Sequence, residues 1–170
     1  MARANAMLER LLRGYLFAES SVAALAYAGV AALLLGEVVA RELFQSSIWG
    51  SQKIAVFAAI IAGFLGLSIA TAANRHLRPQ FADRWWPAAW QATLERVGDS
   101  ISSVIFLALG IVATMYVSDT YANTDRAAVL YWPLWPIQLV IPYAFYASGL
   151  RHAIFAWRPD LKPAPEVMEG

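Results

Sequence analysis

The stretch that decides the fold is residues 16–39, LFAESSVAALAYAGVAALLLGEVV. Apart from Glu19, Glu37 and a pair of serines, its side chains are apolar or aromatic. A helix needs about 20 such residues to cross a hydrocarbon core about 30 Å thick. The run is longer than the roughly 7–15 apolar residues of a secretory signal, and Val38-Val39-Ala40 is a poor cleavage site. The sequence therefore predicts an uncleaved first membrane span.

Three further apolar windows follow, at residues 54–73, 101–121 and 135–157, and Pro136 and Pro142 interrupt the last one. The strands of a membrane barrel would be shorter and would alternate apolar with polar residues, which these windows do not do. We predict an all-α membrane protein with four transmembrane helices and additional interfacial helical segments.

The 170 residues are long enough for one domain. We predict a single membrane domain over residues 1–170, with a cytoplasmic interfacial segment at 1–14 and a four-helix transmembrane core at 15–157. Residues 158–170 form a cytoplasmic tail that its prolines should keep extended. Residues 81–96 mix tryptophans with charges and should run along the cytoplasmic surface.

The composition supports this assignment and excludes several functions. Hydrophobic residues make up 59% of the chain and charged residues 15%, against about 25% in an ordinary soluble domain. The mean hydropathy is +0.50. The formal net charge of +1 lacks the basic excess of a nucleic-acid-binding protein. Because the chain has no cysteine, it can form neither a disulfide nor a thiolate-bound metal cluster.

The arginines and lysines are distributed unevenly between the two sides of the membrane. Ten of them lie before the first window, between the second and third, or from Arg151 near the end of the fourth window onward, whereas the other two connections hold only Arg41, Lys53 and Arg126. Cytoplasmic segments carry the excess of Lys and Arg. We therefore expect both termini and the middle connection to lie in the cytoplasm.

Glu19 and Glu37 are the two charges within the first window. They are eighteen residues apart, about five helical turns, so they should share one helix face near opposite membrane interfaces. Glu37 precedes Arg41 by four residues, the favourable order for a helical ion pair. For Glu19 the candidate partner is Arg151. A structural ion pair or a subunit contact is favoured over a proton relay at this depth.

Small residues recur every four positions in the first two windows, a spacing that lets helices approach closely in lipid. This pattern predicts a tight hairpin of these helices or contact with a partner subunit. The residues are Ala24, Ala28, Ala32 and Gly36 in the first window and Ala58, Ala62, Gly66 and Ala70 in the second.

The sequence contains no recognisable catalytic site. It has no phosphate-binding loop, no dinucleotide-binding fingerprint and no metal-ligand cluster. Ser68, after Gly66-Leu67, has no histidine at its depth to act as a base, so packing is its expected role. His76 and His152 both fall on the cytoplasmic side. They could together hold a haem, or each could bond locally among lipid headgroups.

Several short segments resemble the small membrane subunit of tripartite ATP-independent periplasmic (TRAP) transporters, the DctQ-type family. The resemblance begins at Arg41 and covers about residues 25–157. Its segments are SSIWGSQ at 46–52, GFLGLSIA at 63–70, NRHLR at 74–78 and VIPYAF at 140–145. The chain departs from the family where it has Gln52 and Lys53 in place of a glutamate, and Pro79-Gln80 in place of an aspartate.

The resemblance implies a function and partners. The chain would be a small, non-catalytic inner-membrane subunit of a bacterial transporter, without a cofactor. It would brace a large permease subunit during sodium-coupled uptake of an organic acid that a periplasmic binding protein delivers. Membrane lipids would be its other contacts. The candidate structural or subunit-contact residues are Glu37, Arg41, Trp49, Gly66, His76, Arg78 and Pro142.

Other functions fit the sequence as well. One is the small four-span subunit of a tripartite tricarboxylate transporter, which has a similar topology. Another is a membrane redox subunit that binds haem through His76 and His152. A third is a free-standing four-helix protein that oligomerises by itself.

Overall fold

A computed structural model describes residues 2–73, 87 and 90–163 of the chain, with side chains from Arg10 onward. The described residues form helices and their connections, without a β-strand. The helices are α1 (Ala2–Phe44), α2 (Ser51–Ala72), α3 (Gln91–Ala122), α4 (Trp135–Gln138) and α5 (Val140–Trp157), and a 3₁₀ turn, Pro159–Leu161, follows. The prediction of an all-α fold is confirmed.

Within the described residues, three helices are long and apolar enough to cross a membrane. They are Arg10–Phe44 of α1, then α2 and α3. The fourth predicted span is divided into α4 and α5 and does not reach the same mean apolarity. Polar residues late in α5, Arg151 and His152, account for this difference.

Helix α1 is one continuous helix of 43 residues, about 65 Å long. It passes without a break through the boundary predicted between residues 14 and 15. Its buried side chains include Glu19, Ala23 and Glu37, whereas most of the others are exposed. Burial of both glutamates confirms that they share a helix face.

Helices α4 and α5 nearly continue each other. The N–H of Leu139 donates to Trp135 O at 3.1 Å, and the N–H of Tyr143 donates to Leu139 O at 3.2 Å. Proline has no N–H to donate. Pro142 is the third residue of α5, where a missing N–H costs little because first-turn N–H groups have few intrahelical partners.

The helices are arranged in the order α1, α2, α5, α3. The extensive contacts are those of α1 with α2, of α2 with α5 and of α5 with α3. Helix α3 therefore packs against the last helix of the chain, not against α2. The side chains that α3 buries recur every three or four residues, which is the spacing of one helix face.

Two glycines permit the close approach of α3 and α5. A Cβ added at Gly110 would lie 2.7 Å from the ring of Tyr146, and one at Gly149 would lie 2.9 Å from Leu107 Cγ. Ser103 also donates a hydrogen bond to the carbonyl of Gly149 at 2.9 Å. The sequence did not single out either glycine.

The predicted small-residue hairpin of α1 and α2 is only partly correct. Ala62 is completely buried, but Ala24, Ala28 and Ala32 are exposed, so the α1 stripe does not face α2. A Cβ added at Gly66 would meet no atom within 4 Å. These small residues of α1 are therefore not needed for packing within the chain.

Gly149→Ala should destabilise the protein by about 1–3 kcal/mol, because the new methyl group must displace Leu107 in a packed helix crossing. The measurement is the thermal unfolding midpoint of the full chain in detergent by circular dichroism. Gly66→Ala is the matched control. It should leave the midpoint unchanged or raise it slightly, since alanine favours a helix over glycine. Equal midpoints for the two variants would contradict the packing described.

Candidate functional site

Among the described residues, a buried ion pair joins α1 to α5. Glu19 and Arg151 are 3% and 5% exposed. Nη2 of Arg151 donates to Glu19 Oε2 at 2.5 Å, and Nη1 donates to both Oγ and the carbonyl oxygen of Ser68, each at 2.5 Å. The Ser68 hydroxyl donates in turn to Glu19 Oε1 at 2.7 Å. The predicted pairing of Glu19 with Arg151 is confirmed, and Ser68 is bonded to both charges.

Two tyrosines complete this cluster around Glu19. The hydroxyl of Tyr143 donates to Glu19 Oε1 at 3.0 Å. The ring of Tyr15 lies under the Arg151 guanidinium, 5.1 Å from ring centroid to Cζ, and 6.2 Å from the ring of Tyr143. The three helices α1, α2 and α5 are thus joined at one level, near the end of α2.

Glu37 organises the connection between the C-terminal end of α1 and the start of α2. Its carboxylate accepts hydrogen bonds from the hydroxyls of Ser47 and Ser51 at 2.6 and 2.7 Å and from the Ile48 N–H at 2.9 Å. Among the described residues no direct hydrogen bond or salt bridge joins Glu37 to Arg41, although the charge of Arg41 still acts on the Glu37 carboxylate. The physical reason is that the loop offers three donors, whereas the Arg41 side chain remains exposed.

A second charged cluster lies between the start of α3, the end of α5 and the segment that follows α5. Asp99 is 7% exposed. It accepts from Lys162 Nζ at 2.7 Å, and its Oδ1 lies 3.0 Å from Nδ1 of His152. Because a carboxylate only accepts, the Nδ1 atom carries the proton. The His152 ring also stacks on Phe106 at 5.6 Å between centroids.

This cluster corrects the prediction of an extended tail as far as residue 163. Residues 159–161 form a 3₁₀ turn, and the bond from Lys162 to Asp99 fixes the turn against α3. On the surface, hydrogen bonds from Arg158 hold the pKa of Asp160 below its ordinary value. The proline pattern could not reveal that a buried carboxylate lies within reach of the tail.

The other predicted contact residues do not gather at one place. Arg41 and Trp49 are exposed near the connection between α1 and α2, Trp49 at 69%. Gly66 is half-buried in the middle of α2, and Pro142 is buried in α5. The predictions for His76 and Arg78 fall outside the described residues.

The sequence analysis did not identify Ser68 as a hydrogen-bond partner of Glu19 and Arg151. It also did not identify the pair of Asp99 and Lys162. A signal for Asp99 was present, because Asp99, Ser103, Gly110 and Ala113 recur at the spacing of one face of α3. No such pattern pointed to Lys162.

The chemistry of these clusters is structural. Each buried carboxylate accepts bonds from serine, tyrosine or cationic donors, and this satisfies its lone pairs. Within the described part of the chain, no three His, Asp or Glu side chains come together as metal ligands. The arrangement defines a class, a multi-pass helical membrane protein whose buried charges hold its helices together.

A comparison with protein families gives the particular family. The family model described as "Tripartite ATP-independent periplasmic transporters, DctQ component" matches residues 30–161. The chain belongs to this family, and it is therefore a component of a tripartite transporter, as the sequence resemblance predicted. No curated protein and no solved structure is similar enough to the chain to count as a match.

Glu19→Gln should destabilise the chain by about 3–5 kcal/mol, because it leaves Arg151 buried without a counter-charge. The double variant Glu19→Gln/Arg151→Gln should recover part of this loss, since neither charge then remains. The free energy of unfolding can be followed in mixed micelles by titration with a denaturing detergent. Glu42→Gln, an exposed charge on the same helix, is the control. A loss no larger than that of the control would show that the ion pair does not stabilise the fold.

Proposed function

We propose that the chain is a four-span, non-catalytic subunit of a TRAP transporter in the bacterial inner membrane. It braces the large permease subunit during sodium-coupled uptake of an organic acid that a periplasmic binding protein delivers. The family match over residues 30–161 carries this proposal. Sodium, the organic acid and the bracing role rest on the resemblance to the family.

The fourth span in this proposal consists of α4 and α5 together. Residues 135–157 would extend about 34 Å as a helix, enough for the hydrocarbon core. The polar side chains of α5 that lower its apolarity are both bonded within the protein, Arg151 to Glu19 and His152 to Asp99. Polar side chains in a span are tolerated when they face the bundle interior and pair there.

A bracing role suits the way the charges are used. The ion pair of Glu19 and Arg151 joins three helices, and the Glu37 carboxylate holds the outer connection. A buried pair with several hydrogen bonds has one favourable geometry, so these contacts keep the helices in fixed positions. A rigid neighbour in the bilayer would provide a fixed surface relative to which a mobile domain of the permease moves.

The exposed stripe of Ala24, Ala28 and Ala32 supports contact with a permease helix, because small residues let backbones approach in lipid. Arg41 and Trp49, exposed at the outer end, suit contact with a partner there. Glu37, Gly66 and Pro142 would act by holding the shape of this subunit. The roles of His76 and Arg78 rest on the resemblance alone.

The family match favours a TRAP transporter over a tripartite tricarboxylate transporter. It also favours a transporter subunit over a free-standing oligomer. For the haem alternative, His152 bonds to Asp99 and stacks on Phe106, an arrangement that a structural histidine explains. No second function is favoured by the described residues.

The proposed topology can be tested by labelling, because the chain has no native cysteine. Asn123→Cys should react with a membrane-impermeant maleimide in intact spheroplasts, since it lies in an outer connection. Pro163→Cys should react only after the membrane is permeabilised. Labelling of Pro163→Cys in intact spheroplasts would mean that α4 and α5 do not cross the membrane.

The subunit role predicts that the full chain, purified from its native membrane in mild detergent, retains a large polytopic permease. Arg41→Ala should reduce the recovered permease several-fold. Arg41 is exposed and makes no direct bond to Glu37, so its side chain is accessible to a partner subunit. Lys53→Ala removes an exposed charge from the same side and is the control. Quantitative mass spectrometry gives the ratio. A chain that carries out transport as a monomer, without a permease, would refute the proposal.

A further inference from the structure

The segment after α5 turns back across the end of that helix. The N–H of Leu161 donates to Arg158 O at 3.1 Å, and these two residues bracket the 3₁₀ turn. The N–H of Lys162 donates to Pro159 O, also at 3.1 Å. We call residues 159–163 the strap.

The strap contacts the helices on both of its sides. Leu161 and Pro163 line a cavity of about 210 Å³ whose other walls are α1, the end of α2 and α5. Lys162 lies between them, and its Nζ bonds to Asp99 Oδ2 on α3 at 2.7 Å. The backbone of Lys162 is extended, which points neighbouring side chains to opposite sides. The strap therefore closes one side of the cavity while an ion pair fixes it to α3.

Asp99 has a second partner that does not belong to the strap. Nδ1 of His152, on α5, lies 3.0 Å from Asp99 Oδ1 and carries the proton of this bond. Helices α3 and α5 pack extensively, so this bond stays in place without the strap. The side chain of Lys162 is 15% exposed, whereas those of Asp99 and His152 are 8% exposed. Lys162 is thus the partner that can leave toward water.

The charge of Asp99 is matched by one cation at a time. With the strap in place, the ammonium of Lys162 matches the carboxylate. A proton on His152 would then add a second positive charge at a buried position, which is unfavourable. With the strap released, the same proton supplies the counter-charge that a buried carboxylate needs. Protonation of His152 and binding of Lys162 therefore oppose each other.

Other charges near the cluster do not take part in this exchange. A histidine side chain generally changes its charge between about pH 5 and 8. Within the strap, hydrogen bonds from Arg158 hold the pKa of Asp160 below its ordinary value, so Asp160 stays ionised over this range. On α3 and α5, the nearby charged side chains in the described part of the chain are the exposed Glu95 and Arg96, and Arg151, which bonds to Glu19.

We propose that the strap is controlled by a proton, closed while Lys162 binds Asp99 and released when His152 is protonated. In the released state, protonated His152 is the counter-charge of Asp99, and the cavity beneath Leu161 is uncovered. The released state binds one more proton than the closed state, so acidification favours release. The strap mechanism rests on this cluster and is independent of a role in a transporter.

Hydrogen exchange of the full chain in detergent, followed by mass spectrometry, tests the proposal. The probes are the amides of Leu161 and Lys162, whose hydrogen bonds belong to the strap. Each rate is divided by the intrinsic exchange rate at the same pH. From about pH 7.5 to about pH 5.5 the protection of these amides should fall by about tenfold, because one coupled proton changes an equilibrium at most tenfold per pH unit. Protection that stays constant or rises on acidification would overturn the proposal.

Two variants separate the roles of the two cations. His152→Asn keeps an amide donor near the position of Nδ1 but binds no proton, so protection should be equally high at both pH values. Lys162→Gln removes the cation after the last helix, so protection should already be about tenfold lower at the higher pH. Circular dichroism verifies that each variant is helical. Acid release in His152→Asn, or full protection in Lys162→Gln, would each refute the mechanism.

Arg158→Gln is the matched control. It removes a cation of the same segment, one that pairs with Asp160 at the surface. Without Arg158 the pKa of Asp160 returns toward its ordinary value of about 4, which is still below the tested range. The loss of protection in acid should therefore persist. Its disappearance would assign control to the surface pair and contradict a role of the buried cluster.

Discussion

The structure depends above all on the ion pair of Glu19 and Arg151. Taking two charges out of water costs several kcal/mol for each ion. In an apolar helix bundle in lipid, no water is available to solvate these charges, so protein groups must do so. Donors from α2 and α5, the Ser68 hydroxyl and the Arg151 guanidinium among them, bond to the Glu19 carboxylate of α1 and offset this cost. Since these donors lie far apart in the sequence, the bonds form only when α1, α2 and α5 are in register. The polar residues of the spans therefore determine which arrangement of apolar helices is stable.

The three clusters divide this task. The pair of Glu19 and Arg151 connects α1 to α5 across α2, Asp99 connects α3 to α5 and the tail, and Glu37 closes the first hairpin at the opposite membrane face. Apolar packing supplies little direction, because lipid chains are as apolar as the side chains that face them. Each cluster instead fixes how far two neighbouring helices are shifted along, and rotated about, their axes relative to each other. The three clusters together therefore hold the helices of this subunit in fixed positions relative to one another.

Much of the fold could be predicted from the residues, and the reasons are physical. Long apolar windows have few structural options in a bilayer, so three spans and the helical class followed from length alone. The partner of Glu19 could be predicted as well, because a buried carboxylate needs a cation at its depth. The partners of Glu37 and Asp99 could not. The loop after α1 supplies donors to Glu37, and Lys162 after α5 supplies one to Asp99. Helical spacing in the sequence does not predict the conformation of such non-helical segments. The order in which the helices pack could not be predicted either. It depends on close contacts such as that between Gly149 and Leu107, which are far apart in the sequence.

The interior formed by the described residues is thin, and the largest fully buried side chains there are those of Thr71, Ser68 and Ser148. A chain with so little interior places most of its residues against lipid or a partner, where one apolar side chain can replace another at small cost. Substitutions among its outward-facing apolar residues should therefore change the fold little, whereas the few buried hydroxyls, charges and glycines leave almost no room for exchange. In a protein of this kind, the polar residues and not the apolar ones set the limits on sequence change.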